Sequence, residues 1–297
     1  MLMRPLIVLV WLLFGPISYA GDVITSELNG KINWTTGEIQ AVGFGAAPEG
    51  TALRKQKTLA LRAAKIVAIR NLLEIVQGVR VTSETTVLDL MLVSDVVHTR
   101  VNGIVRGAQV QASSFDESSG LASVTVQLKV TEGLYQTLID ASDLQLSKTK
   151  SPLSDLLSST LALLSTALAA NAHADIAGDI EYSGIVFDVT ALQQFQPAAI
   201  LRLRDDVGKV FYPSDSIVKD TLSGSLPTLY GNSVETLTTF DRIGETPLII
   251  EVDALFLSFS SDLQLRSSDM KRLKSNEALW QLIENGRVAV LMSGNAE

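Results

Sequence analysis

Residues 41–81 read AVGFGAAPEGTALRKQKTLALRAAKIVAIRNLLEIVQGVRV, and this stretch decides the fold. A short apolar strand ends at Gly43-Phe44-Gly45, whose glycines are expected to serve a tight turn. A long alanine-rich helix follows from Thr51 to Gln77. Gly78 should stop it in a left-handed conformation, leading into Val79-Arg80-Val81. At 100° per residue Arg54, Lys55, Arg62 and Lys65 fall on one stripe, with Ala60, Ala63, Ala64 and Val67 across from it. The alanines would let the helix sit close on a sheet while the basic stripe faces out. In the last turns Ile69, Leu72, Leu73 and Val76 take over the angle of the basic residues, so that end should be buried more completely.

Strands flank this helix. Residues 31–34 and 38–44 read as strands either side of a Thr35-Thr36-Gly37 turn. Further on, Ala122, Val124, Val126, Leu128 and Val130 alternate with Ser123, Thr125, Gln127 and Lys129, the pattern of a strand with one buried and one wet face. A strand is expected around Val105-Arg106-Gly107-Ala108, and Ala108, Val110 and Ala112 alternate likewise with polar neighbours. The polar, turn-rich residues 115–120 between the two runs predict an antiparallel hairpin.

Trp34, Gly43-Phe44-Gly45, Arg62-Ala63-Ala64, Arg70-Asn71-Leu72, Gly78-Val79 and Val105-Arg106-Gly107-Ala108 together carry a resemblance. The region is similar to the LPP-twenty-like envelope lipoproteins and to the related N-terminal domain of flagellar assembly protein T. The resemblance implies a bacterial envelope protein, often tied to flagellar or outer-membrane structure, and supplies no catalytic motif. Lipoproteins of that family need a cysteine at the mature N-terminus, and this chain has none. In the second half, residues 182–188 and 244–248 look similar to the C-terminal part of longer members of the group.

The ends and the middle add an address and a division. Arg4, the apolar run 6–14, Gly15-Pro16 and the small residues Ser18 and Ala20 have the layout of a secretory signal peptide cut after Ala20. That run is too short to span a bilayer. Losing Arg4 with the signal takes the formal net charge from −8 to −9, and an acidic surface disfavours nucleic acid. Zero cysteines exclude disulfides, thiol catalysis and cysteine-bound zinc. Residues 156–172 are uncharged and rich in Leu, Ala, Ser and Thr, and Lys148-Thr149-Lys150-Ser151-Pro152 breaks the preceding structure. Leu156, Leu161, Leu164 and Leu168 keep helical spacing, so a connecting helix and self-association through its leucine face are expected.

The expected class is α+β. After a cleaved signal peptide (1–20) come a resembling α+β domain (21–146), a helical linker (147–178) and a C-terminal α+β domain (179–297). Each domain is expected to be a mainly antiparallel sheet with packed helices. In the second, residues 185–189, 199–204, 209–212, the alternating set Leu248, Ile250, Val252, Ala254 and Phe256, and Ala289-Val290-Leu291 read as strands, and Ser268-Asp269 as a helix cap.

Apparent chemical motifs dissolve on inspection. Pro48 stands where a dinucleotide fingerprint wants its third glycine. Ser268-Asp269-Met270-Lys271 matches Ser-x-x-Lys, but the Ser-Asp-Asn and Lys-Thr-Gly partners are missing from the chain. The two histidines, His98 and His173, lie far apart, and Asp205-Asp206 reads as a charged hairpin turn. No enzyme, cofactor or metal is expected. The expectation is a non-catalytic periplasmic protein with a structural or assembly role, flagellum-associated in one form. It would have no span after signal removal and could associate peripherally with the outer membrane. Its partners would be envelope or flagellar basal-body proteins, met through Arg54, Lys55, Arg62 and Lys65. The alternative is a periplasmic ligand- or polysaccharide-binding module, although the mature chain has only Trp34 and Trp280 for stacking.

Overall fold

A computed structural model describes residues 21–131, 133–148, 181–214, 216–217, 226–257 and 259–293. The expected signal peptide, His173, residues 149–178 of the linker and the leucines at 156, 161, 164 and 168 lie outside the described residues. The chain is α+β, as expected. Among the described residues, no helix is long and apolar enough to cross a membrane.

The N-terminal half is a five-stranded antiparallel sheet in the order β1-β2-β3-β5-β4. Its strands are β1 (Ile24–Glu27), β2 (Gly30–Asn33), β3 (Glu38–Ala46), β4 (Gln109–Phe115) and β5 (Leu121–Lys129). Helix α1 (Leu53–Gly78) lies across β3 and β5, and α2 (Val87–Val93), α3 (Asp95–Arg106) and α4 (Leu134–Lys148) complete the layer. As the alternation in β5 predicts, Ala122, Val124, Val126 and Leu128 are buried, and β4 and β5 form the expected hairpin.

Three local expectations need correction. Gly43-Phe44-Gly45 is not a turn; it lies inside β3, and both glycines face α1. A Cβ on Gly43 would stand 2.1 Å from the Ala68 amide nitrogen, and one on Gly45 2.3 Å from that of Ala64. Ala60, Ala64 and Ala68 are fully buried at this contact. The glycines therefore bring a strand and a helix to backbone contact, which any side chain would forbid. Gly78 is helical rather than left-handed; the chain leaves the helix at Val79 (φ −57°, ψ 126°), because Val79 and Val81 turn inward to the core. Val105 and Arg106 end α3 instead of opening a strand, and β4 is exposed on both faces up to Ser114, with its register broken between Val110 and Ala112. It is an edge strand left exposed among the described residues, so its alternation buries little.

The C-terminal half departs from the antiparallel expectation. Strands β6 (Ile185–Asp188), β9 (Leu229–Gly231), β10 (Leu248–Glu251) and β13 (Val288–Leu291) make an all-parallel sheet ordered β10-β6-β13-β9. A second sheet, β11-β12-β7-β8, joins β11 (Ala254–Leu255), β12 (Asp262–Gln264), β7 (Arg202–Arg204) and β8 (Val210–Tyr212), with β7 and β12 parallel and the other pairs antiparallel. Helices α5 (Val234–Thr238), α6 (Ser267–Ser275) and α7 (Glu277–Glu284) accompany them. Parallel strands are buried on both faces and read as continuous apolar runs. Ile185-Val186-Phe187 and Val288–Leu291 are such runs, every residue of them buried. The single alternating set read over 248–256 divides between β10 and β11, which belong to different sheets.

One hydrophobic core runs through both halves. After α1 the chain at Arg80 and Val81 accepts backbone hydrogen bonds from Ala199 and Ile200, each 2.9 Å. Arg80 also donates to the Gln196 side-chain oxygen (2.6 Å), and Arg202 pairs with Glu84 at 3.4 Å. The halves are thus joined side to side by a built interface.

Candidate functional site

Arg54, Lys55, Arg62 and Lys65 are all exposed, and α1 carries them on its solvent side, as the stripe predicts. Two further exposed cations, Lys57 and Arg70, belong to the same helix and escaped the four-residue reading. With Glu74 its sole acid, α1 has six cations against one anion, a formal +5 in a chain of −8. Five ion pairs lie elsewhere: Arg100 with Asp140, Lys129 with Glu38, Arg202 with Glu84, Arg204 with Asp262 and Arg266 with Asp253. None of the six on α1 has an ion-pair partner among the described residues.

The stripe is not purely basic. Lys55, Leu59, Arg62 and Ile66 follow one another at steps of four, three and four residues, which stacks them along one ridge. Leu59 is 37% and Ile66 62% exposed. The first buried residue of α1 is Ala60, so its first two turns overhang the sheet, and Leu53 there is 85% exposed. Toward the other end Leu72 and Val76 are buried and Ile69 and Leu73 half-buried, in line with the shift in apolar angle. The helix N-terminus has no side-chain cap and no acid in its first turn. Arg54, Lys55 and Lys57 instead place positive charge at the positive end of the helix dipole, an arrangement that disfavours the free helix by a few tenths of a kcal/mol per charge.

The other sequence candidates are held in structural roles. Asp205 is buried and accepts the amides of Val207 (3.2 Å) and Lys209 (2.8 Å). Asp206 accepts the Ser267 hydroxyl at 2.5 Å, so the two carboxylates point apart, as the turn reading requires. Ser268 and Asp269 do not cap α6; Arg266 holds the cap position, and Asp269 sits in the first turn, where its charge suits the dipole. His98 is exposed on α3. Among the described residues no group of three or more His, Asp or Glu side chains could hold a metal ion.

The buried polar junction between the halves was not legible in the sequence. Tyr135, Tyr212 and Tyr230 are fully or almost fully buried. Tyr212 donates to the Pro227 carbonyl (2.6 Å), and Tyr230 donates to the Ala198 carbonyl (2.7 Å) while accepting the Ala198 amide (3.2 Å). Burial pushes the Tyr212 phenol up to about 12 and raises those of Tyr135 and Tyr230 further. Arg242 donates to the carbonyls of Leu226 (2.8 Å) and Pro227 (3.0 Å), and burial lowers its pKa. Farther out, an open groove of about 460 Å³ is lined by the loop Ala191, Leu192, Gln193 and Gln194 and by Leu255, Leu257 and Ser260. Leu257 has a left-handed backbone (φ 55°), a conformation strained for a leucine.

A family model described as Treponema pallidum Tp0624, second domain, matches residues 184–294. The match opens one residue before β6 and runs just past β13, so it brackets both C-terminal sheets. A search of curated proteins finds no match.

Proposed function

We propose that this protein is a non-catalytic, exported component of a bacterial envelope with a structural or assembly role, and that α1 is its attachment face. The carrying observation is the helix itself: six exposed cations with no ion-pair partner among the described residues, in an otherwise acidic chain. Like charges on one face repel by a few tenths of a kcal/mol per close pair, and an acidic counterpart offsets that. The resemblance to envelope lipoproteins and to flagellar assembly protein T supports the address, with the flagellar basal body as one such assembly. The candidate catalytic motifs support a non-catalytic role, since their residues pack a helix, close a turn or open a helix.

The test reverses Arg54, Lys55, Arg62 and Lys65 to glutamate together and compares recovery of envelope components with the wild type at low and moderate salt. The expected outcome is a folded variant that loses its partners, and wild-type association that weakens as salt rises. Equal recovery by both proteins at both salts overturns the reading. Osmotic-shock release of a chain beginning at Gly21 is the expected address; membrane-retained protein beginning at Met1 contradicts it.

A second reading, a periplasmic ligand- or polysaccharide-binding module, is favoured by the 460 Å³ groove, whose Gln193, Gln194 and Ser260 could hydrogen-bond a neutral, hydroxyl-rich ligand. Neither Trp34, buried in the core, nor Trp280, packed on Phe211, lines it. A saturable rise in unfolding temperature with neutral oligosaccharides, lost in Gln193→Ala/Gln194→Ala, would favour this reading over the first.

A further inference from the structure

We infer that the outward face of α1 seats on an anionic phospholipid surface, with the helix axis parallel to the plane of the headgroups. The inference rests on the attachment reading above and names the chemistry of the counterpart.

Three observations carry it. Exposed apolar side chains, Leu59 and Ile66, lie along the middle of the basic ridge, separated by Arg62. At 100° per residue Arg54 and Lys65 fall on one flank of that ridge and Arg70 on the other. An apolar line between cations whose long stems can reach phosphate is the pattern of a helix resting in a bilayer interface. Next, the overhanging first turns put Leu53 and the uncapped, cation-bearing helix end clear of the sheet. Phosphate oxygens there would meet Arg54 and Lys55 at the positive end of the helix dipole. Finally, the charge asymmetry orients the molecule. With α1 at +5 and the whole chain at −8, the field of the molecule favours presenting α1 to an anionic surface. So little exposed apolar surface makes the contact shallow and chiefly electrostatic, hence reversible and salt-sensitive.

The experiment uses protein purified after export and confirmed to begin at Gly21. Its probes are vesicles of phosphatidylcholine alone and of phosphatidylcholine with about 30% phosphatidylglycerol, a charge density near that of an anionic leaflet. Wild-type protein should float with the anionic vesicles at low salt, bind the neutral ones at least tenfold more weakly, and dissociate as salt rises. Reversal of Arg54, Lys55, Arg62 and Lys65 should abolish flotation. Leu59→Ser/Ile66→Ser should weaken it several-fold with an unchanged salt response and unchanged thermal unfolding. Failure of the wild type to bind anionic vesicles, equal binding to neutral ones, or indifference to either set of substitutions overturns the inference. If vesicle binding fails while protein recovery still depends on the four charges, the counterpart is an acidic protein and the attachment reading stands. If neither depends on them, both readings fall.

Discussion

Trp34 and Tyr230 meet edge to face, their ring centres 5.9 Å apart and their planes at 69°, although 196 positions separate them in the chain. The Trp34 indole nitrogen donates to Thr25 Oγ1 (3.0 Å), so the ring is fixed on the N-terminal sheet. The Tyr230 hydroxyl is held by both backbone groups of Ala198. Each ring is buried against the other half, and the contact works as a clamp between two sheets.

The clamp should make the halves unfold together. Trp34→Ala removes a large buried ring and should cost about 3–5 kcal/mol. Tyr230→Phe leaves a buried amide and carbonyl of Ala198 without a partner, at about 1–3 kcal/mol. Denaturant unfolding followed by tryptophan fluorescence and by far-ultraviolet circular dichroism should give one coincident transition in the wild type. Separated transitions in the wild type would mean the interface does not couple the halves.

Two glycines separated by a few helical turns should respond in opposite ways. A methyl group at Gly45 collides with the backbone of Ala64, so Gly45→Ala should destabilise by about 2 kcal/mol or more. Gly78 is helical with nothing within 4 Å of a would-be Cβ, so Gly78→Ala should be neutral or stabilising by up to about 1 kcal/mol. Thermal unfolding of the two variants checks both; a stable Gly45→Ala protein would mean α1 can lift from β3.

Alkaline pH should open the junction. Tyr212 has its pKa raised from 10.0 to about 12, and Tyr135 and Tyr230 are raised too, because burial penalises the phenolate. The neutral form is the one the folded state holds, so this contribution is complete below pH 10 and is lost as pH climbs from 10 toward the raised values. Tyrosinate absorbance should therefore lag the ordinary titration and then appear together with loss of tertiary structure. Ionisation of all the tyrosines near pH 10 with the fold intact would contradict the buried placement.

Helix α2 begins with a reciprocal cap: Thr86 accepts the Asp89 amide (3.3 Å), and Asp89 accepts the Thr86 amide (2.7 Å). Thr86→Ala should cost about 1 kcal/mol. The Thr86 amide and the Thr86 hydroxyl, both donating to the Asp89 carboxylate, lower its pKa from 3.8, so the cap's contribution is present above that value and is lost as pH falls through the lowered pKa. Asp89→Asn should accordingly flatten the acid limb of the stability profile. An unchanged limb would assign the acid sensitivity to other carboxylates.

Period and composition alone determined much of the N-terminal half. The alternation of β5, the hairpin with β4, the long α1 with its alanine side inward and its cations outward all follow from local rules, because a lone amphipathic element has one way to bury its apolar side. The candidate face was legible for the same reason: exposed charge on a helix needs no partner elsewhere in the chain to be recognised. Only the tertiary structure decided the rest. That Gly43 and Gly45 are contact surfaces, rather than a turn, depends on where Ala64 and Ala68 arrive. That 185–188 and 288–291 are parallel neighbours depends on pairing between segments about a hundred residues apart, which periodicity does not encode. The buried tyrosines and Arg242 likewise take their character from walls that both halves must build before any polar atom there is shielded from water.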